Sequence, residues 1–238
     1  MASTIEAERP VGAGERHGQR SAAGARPVRA GVVAGTFLGS KLASLLGLLP
    51  VGVWTVNHLW DNLAALRGGA AWERAVTEHS SPATQAVTLA VVLVPLLLHS
   101  GWGLARLPRT RVPRHVGRFA SLRHGLHRLS ALGLLLFLGA HLWLALIRPR
   151  LLEGGPEPFE HLAHQMRFHL PTLIVYVLGV LGTAYHLANG LQAVGVGWGL
   201  RFGRGTMSRL SLTSGAAFVV LLAMGWTAVW ALWRAGGG

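Results

Sequence analysis

The amino-acid sequence predicts an all-α integral membrane protein built as a bundle of five transmembrane helices. Of the 238 residues, 51% are hydrophobic and only 13% are charged, whereas soluble domains carry about 25% charged residues. Five stretches contain no charged residue, and each is long enough to cross a bilayer, which takes about 20 apolar residues. They comprise residues 42–60, 82–105, 129–147, 170–200 and 210–233.

We expect one membrane domain over residues 36–238, with helices at about 36–62, 82–105, 126–148, 170–198 and 208–234. Pro50 and Pro95 fall inside the first two helices, where proline is tolerated and often kinks the helix. Residues 1–35 form an Ala/Gly/Arg-rich tail without the compact apolar region of a cleavable signal peptide, and we expect this basic tail to be disordered. The loops at 72–81 and 151–169 are long enough to form short surface helices.

The basic residues predict the orientation of the bundle. Sixteen of the 22 Lys and Arg residues lie in the tail and the start of helix one, between helices two and three, or between helices four and five. Every Asp and Glu after the tail lies on the opposite side. Because Lys and Arg accumulate on the cytoplasmic side, we expect a multi-pass protein of the bacterial inner membrane with a cytoplasmic N-terminus and the C-terminus outside. This sorting also explains the net charge of +13, so no nucleic-acid partner is expected.

Four histidines lie inside the first four helices, and their heights sort them into two layers. His58 and His141 follow the inner-side residues Lys41 and Arg128 by about 25 Å and 20 Å at 1.5 Å per residue, which places both near the outer side. By the same measure, His99 precedes Arg106 by about 10 Å. His186 lies about 28 Å from the outer side, so these two share the inner layer.

Histidines inside a membrane are functional-site candidates, and pairs from different helices can bind a haem iron from both faces. The predicted pairs are His58 with His141 and His99 with His186. Gly182 and Gly190 lie one turn on either side of His186 and leave room for a flat ligand. The helices thus form a haem-binding four-helix core plus a fifth helix. The absence of cysteine excludes thioether-linked haem and an iron–sulfur cluster held by this chain.

Other interpretations of these histidines stay open. A lone intramembrane histidine often only hydrogen-bonds to a neighbouring helix, and a His-lined transporter or proton channel would relay protons through such residues. A relay would string its histidines along one path, which two facing layers do not do. His161, His164 and His169 in the third interhelical segment could form a metal site, although interfacial histidines on a loop explain them better.

The chain resembles the five-helix, di-haem cytochrome b membrane-anchor subunit of succinate dehydrogenase and quinol:fumarate reductase. The resemblance rests on four segments taken in order. They are SKLASLLGLLPVGVWTVNHLWDN (40–62), PLLLHSGWGL (95–104), HRLSALGLLLFLGAH (127–141) and YHLANGL (185–191). It implies the same two histidine pairs, with His99 and His186 holding an inner haem b and His58 and His141 an outer one. A basic tail of this length and His127 in place of a glutamine depart from the family pattern.

The resemblance implies a subunit that anchors a flavoprotein and an iron–sulfur protein on the cytoplasmic face and passes electrons through two haem b groups to a quinone, with menaquinone suggested. Ser40, Ser44, His127 and Arg128 lie at the inner surface and could bind haem propionates, although helix packing explains the two serines as well. No quinone-site acid or base can be chosen among six polar residues near the outer side, which are Asn57, Asp61, Asn62, Glu73, Glu78 and His79. Quinol:fumarate reductase, a haem-free structural anchor and a transporter remain the alternatives.

Overall fold

The computed structural model describes residues 39, 41–77, 81–107, 117–199 and 203–238. Its regular elements in these residues are all helical, which confirms the predicted fold class. Five helices are long and apolar enough to cross a membrane, namely α1 (Lys41–Arg67), α3 (82–106), α4 (118–152), α6 (Leu170–Gly197) and α7 (Gly203–Ala235). Two short helices, α2 (Gly69–Val76) and α5 (Phe159–Phe168), lie between them in the chain.

The third membrane helix differs from its predicted bounds. It begins at Arg118 rather than near residue 126, and helical structure continues to Leu152 rather than ending near residue 148. The arginines Arg118, Arg123 and Arg128 therefore belong to α4 and not to the preceding loop. A helix end that carries arginines can extend beyond the apolar core because long side chains reach the interface, so a search for charge-free residues ends the helix too early.

Prolines mark three irregular turns in the membrane helices. A π-helical turn contains Pro50 in α1, and two others precede Pro95 in α3 and Pro149 in α4. Proline has no N–H to donate to the carbonyl four residues earlier. The carbonyl freed by Pro149 is that of Ala145, and the Arg150 guanidinium donates to it at 3.4 Å.

The best-buried apolar core lies at one end of the bundle. There α2 and α5 pack against the ends of α1, α6 and α7, with Trp72, Phe159 and Met166 at the centre. We name this the capped end, and the opposite end, which carries Arg106, Arg123 and Arg128, the basic end. The apolar windows of α3 and α4 have no buried residue in the described structure, so these two helices expose their sides to lipid and to the bundle interior.

The fifth membrane helix packs along α6. The buried Ser214 hydroxyl donates to the Ala188 carbonyl at 2.6 Å, and the Trp226 indole donates to the Val177 carbonyl at 3.1 Å. These contacts attach α7 to the face of α6 away from His186. The interior between α1, α3, α4 and α6 remains available for a ligand.

Candidate haem sites

The structure brings the four central histidines together in two pairs. The rings of His99 on α3 and His186 on α6 have centroids 6.1 Å apart and planes inclined by 80°. The rings of His58 on α1 and His141 on α4 have centroids 5.8 Å apart and planes inclined by 67°. These are the partners that the heights along the helices predict. The first pair, near the basic end, is the inner pair, and the second, near the capped end, is the outer pair.

Both separations are close to what one metal atom between two imidazoles requires. A bond from a metal to an imidazole nitrogen is about 2.0–2.1 Å long. Adding about 1.2 Å from nitrogen to ring centre on each side puts two axial imidazoles about 6.4 Å apart. The observed values are slightly shorter. The spacing of each pair would therefore suit one iron held between its two imidazoles.

Three of the four histidines have a partner for the nitrogen that points away from a metal. Nδ1 of His99 lies 2.8 Å from the Ala43 carbonyl, to which it donates. Nδ1 of His141 lies 3.2 Å from the Tyr176 hydroxyl, and Nδ1 of His186 lies 3.5 Å from the Ser130 hydroxyl. Such partners fix the orientation and tautomer of metal-binding histidines. In all three, Nε2 is left for the metal.

His58 is held differently, by two tryptophans and an asparagine. The Trp54 ring stacks on it at a centroid distance of 4.6 Å and an angle of 9°. The Asn62 amide donates to the His58 carbonyl at 2.7 Å and lies 3.4 Å from Nε2. The Trp72 indole in turn donates to the Asn62 oxygen at 3.1 Å, and Trp72 is only 3% exposed. Helix α2 thus positions a candidate ligand on α1.

A cavity of about 310 Å³ opens beside the inner pair. Its walls come from α1, α3, α4 and α6 and include both His99 and His186, with Gly47, Gly52 and Gly103 providing space. Thr183 and Leu187 line it next to His186, whereas Gly182 and Gly190 do not. A Cβ added at Gly190 would meet nothing within 4 Å, and one at Gly182 would meet only the Ser130 carbonyl at 4.0 Å, so both positions are open. The cavity size lies at the lower end of the range for cofactor sites, about 300–1,000 Å³.

The basic end of this cavity is cationic. Arg106, His124, His127 and Arg128 line it. Arg128 also donates to the Leu107 carbonyl at the end of α3. The neighbouring Arg123 guanidinium donates to Asn189 Oδ1 on α6 at 2.6 and 2.7 Å, and it also donates to the Gln192 side-chain oxygen. These hydrogen bonds join α4 to α6. An apolar slot between two histidines with positive charge at one end fits haem b, which carries two carboxylates.

The structure also shows where the other predicted residues lie. Arg128 lines the cavity, whereas Ser44 is half-buried outside its lining. Ser40, Glu78 and His79 fall outside the described residues. Asp61 accepts from the Asn57 amide at 2.8 Å, and Glu73 accepts from the Phe159 backbone N–H at 3.2 Å. Both carboxylates thus hold structure near the capped end.

The three histidines between α4 and α6 do not converge on one point. His161 contacts Glu157, His164 packs on Phe168, and His169 contacts the Thr172 hydroxyl. Instead, His161 groups with Glu157 and Glu153, and the Arg148 guanidinium binds Glu153 at 2.7 Å. Burial raises the pKa of the Glu157 carboxyl, and His161 partly opposes that rise.

Two further histidines line the cavity: the sequence names His127 among the residues that could bind haem propionates, and it gives His124 no site. His127 stacks on His186 with centroids 4.5 Å apart and planes inclined by 7°, and His124 lies nearly one turn earlier on α4. The sequence does contain a pattern that points to His127. It precedes His141 by 14 residues, which is almost four complete turns, so the two histidines lie on nearly the same face of α4.

Comparisons with known proteins agree with this architecture. Residues 107–224 match the family described as succinate dehydrogenase/fumarate reductase transmembrane subunit. The succinate dehydrogenase cytochrome b558 subunit of Bacillus subtilis (strain 168) is 29% identical over 165 residues, which cover 67% of this chain and 79% of the relative. No solved structure matches the chain. Together with the five apolar membrane helices, these two matches support a cytochrome b membrane-anchor subunit of the succinate dehydrogenase and fumarate reductase type.

Proposed function

We propose that this chain is the cytochrome b membrane anchor of a succinate dehydrogenase and carries electrons from an iron–sulfur subunit through two haem b groups to a quinone. Similarity to this family supports haem b, the membrane and association with other subunits. The observation that carries the finer proposal is the pairing of four histidines from four helices at separations of 5.8 and 6.1 Å. A proton relay needs no such pairing.

We assign His99 and His186 to the inner haem and His58 and His141 to the outer haem. The bound haem supplies an iron that gains and loses one electron. The four imidazoles of the chain would hold that iron, and contacts with Ala43, Ser130 and Tyr176 would keep three of them in orientation. The two pairs lie at different heights in the bundle, so they provide two successive stations across the membrane.

The basic end is assigned to the cytoplasmic side, where the flavoprotein and the iron–sulfur protein would dock. Arg106 and Arg128 support this assignment, because arginines accumulate on the cytoplasmic side of membrane proteins. The capped end then lies outside. The quinone, expected to be menaquinone, would react near the outer pair.

Succinate oxidation is preferred to fumarate reduction because the Bacillus subtilis relative is named as a succinate dehydrogenase subunit. Membranes containing the complete complex would test this preference. Succinate should reduce the haems, and the rate of quinone reduction with succinate should exceed that of fumarate reduction with quinol. The opposite ratio would assign the chain to a quinol:fumarate reductase.

Purification of the tagged chain from membranes tests the cofactor and the partners together. We expect b-type absorbance bands after reduction with dithionite, and we expect a flavoprotein and an iron–sulfur protein to co-purify. A folded, membrane-inserted chain without b-type bands would contradict the electron-transfer function and would favour a transporter. A haem-containing chain without the two soluble partners would contradict the anchor function alone.

A further inference from the structure

Two buried histidine nitrogens at the basic end of the inner cavity have no hydrogen-bond partner among the described residues. They are Nε2 of His124 and Nδ1 of His127, and both residues line the cavity. Buried polar atoms nearly always have a partner, and a neutral imidazole nitrogen can donate or accept according to its tautomer. The two nitrogens therefore indicate a polar group that belongs in the cavity.

The described segments that line the cavity contain no acidic side chain. Residues 79–152 and 161–238 contain no Asp or Glu, and neither do residues 41–60 of α1. Every segment that lines the cavity lies in these ranges.

We propose that His124 and His127 bind the propionate carboxylates of the haem in the inner cavity and so set which edge of the haem faces the basic end. This inference rests on the proposed function and extends it to residues beyond the four axial histidines. Carboxylates accept hydrogen bonds at both oxygens, and hydrogen bonds to an ionised acceptor are the stronger kind. Arg106 and Arg128 line the same end and add their charge.

His127 has a second contact that makes it a positioning residue as well. Its ring lies parallel to that of His186, and the Ser130 hydroxyl, which lies 3.5 Å from His186 Nδ1, donates to the His127 carbonyl at 2.8 Å. One turn of α4 thus contacts the His186 imidazole and also lines the basic end of the inner cavity. A haem bound to His186 would find its carboxylate partners on the same turn.

The test compares iron protoporphyrin IX with its dimethyl ester, which lacks both carboxylates but keeps the ring and the iron. Membranes containing the chain in a His58→Ala background are prepared from a host that makes no haem, so that the inner site alone is measured. Each porphyrin is titrated while the reduced b-type band is followed. We expect the free acid to bind at least about tenfold more tightly than the ester.

Three substitutions separate hydrogen bonding from packing. In His124→Leu, and in His127→Phe, which keeps a stacked ring, the preference for the free acid should fall about tenfold. His124→Gln keeps a side-chain N–H and should stay within about threefold of the parent. His164→Leu, at an exposed histidine of α5, is the control and should leave the preference unchanged.

The outcomes distinguish this inference from the proposed function. An unchanged preference in both His124→Leu and His127→Phe would overturn the inference and would indicate that water satisfies the two nitrogens. A tenfold loss in His124→Gln would overturn it as well, because packing would then explain the effect. If neither porphyrin gives a b-type band in the parent chain, the haem function itself fails.

Discussion

Each central histidine is held by a different partner, and these partners decide how well the chain can orient an iron ligand. At Nδ1, His99 has a backbone carbonyl, His141 a phenol and His186 a serine hydroxyl. His58 instead stacks on Trp54, and its backbone carbonyl accepts from the Asn62 amide. Removing a partner of this kind usually weakens metal binding by about 10- to 100-fold. The partner residues therefore offer tests that leave the ligands themselves intact.

Tyr176→Phe should weaken the outer haem selectively. The substitution removes the hydroxyl 3.2 Å from His141 Nδ1 but keeps the ring that packs against Phe137. We expect outer-haem affinity to fall about tenfold or more, measured by haem retention during dilution. Tyr185→Phe is a matched control, because its hydroxyl contacts the Arg123 carbonyl instead. Equal haem retention in the two variants would contradict a role of Tyr176 in orienting His141.

Glu157→Gln should flatten the dependence of stability on pH. Burial raises the pKa of the folded Glu157 carboxyl above the ordinary value of 4.5. Its contribution to the free energy of unfolding is therefore fully present below pH 4.5 and is lost as pH rises through the raised folded pKa. Thermal unfolding of wild type between pH 4 and 8 should show this decline, and Glu157→Gln should show less of it.

Glu160→Gln provides the comparison for that measurement, since Glu160 is an exposed residue of the same segment. It should keep the wild-type dependence on pH. A decline of the same size in Glu157→Gln and wild type would mean that another group causes it.

At the scale of helices, close approach of α1 to α3 determines whether His99 can point at His186. A Cβ added at Gly47 would lie 2.6 Å from atoms of the His99 ring. Gly47→Ala should therefore displace the ring and reduce the inner haem content while the outer haem remains. Gly101→Ala on α3 is the control, because a Cβ there meets nothing within 4 Å. Pyridine haemochrome assays of both variants measure the difference, and an unaltered inner haem in Gly47→Ala would contradict this packing.

Some features of the helices can be predicted from the sequence, and others cannot. Five spans are predictable because a bilayer demands long apolar stretches, and the pairing of His58 with His141 follows from the fixed rise per residue. The start of α4 at Arg118 is not predictable from charge-free residues, because arginine side chains reach beyond the apolar core. The stacking of His127 on His186 depends on the rotation of two helices about their axes, which height does not determine.

At the scale of the whole molecule, stability is divided between two ends. The capped end has its own apolar core around Trp72, Phe159 and Met166, whereas the basic end surrounds the cavity and its unpartnered histidine nitrogens. A ligand that binds only the folded state stabilises it by about 2.7 kcal/mol at 100 times its dissociation constant. The inner haem should therefore stabilise the basic end.

The chain produced without haem should unfold at a lower temperature than the haem-loaded chain. Amide hydrogen exchange should show where the difference lies. We expect faster exchange in residues 118–134 of α4 and little change in α5 (Phe159–Phe168). Uniform acceleration along the chain would contradict the division between the two ends.

The central claim is that two imidazole pairs each bind one haem, and haem content per chain tests it most directly. Purified wild type should contain two haems per chain by quantitative pyridine haemochrome assay, and His58→Ala and His186→Ala should each contain one. Loss of both haems in His58→Ala would show that the two sites are not independent. Two haems retained in His186→Ala, or none in the folded wild-type chain, would contradict the account.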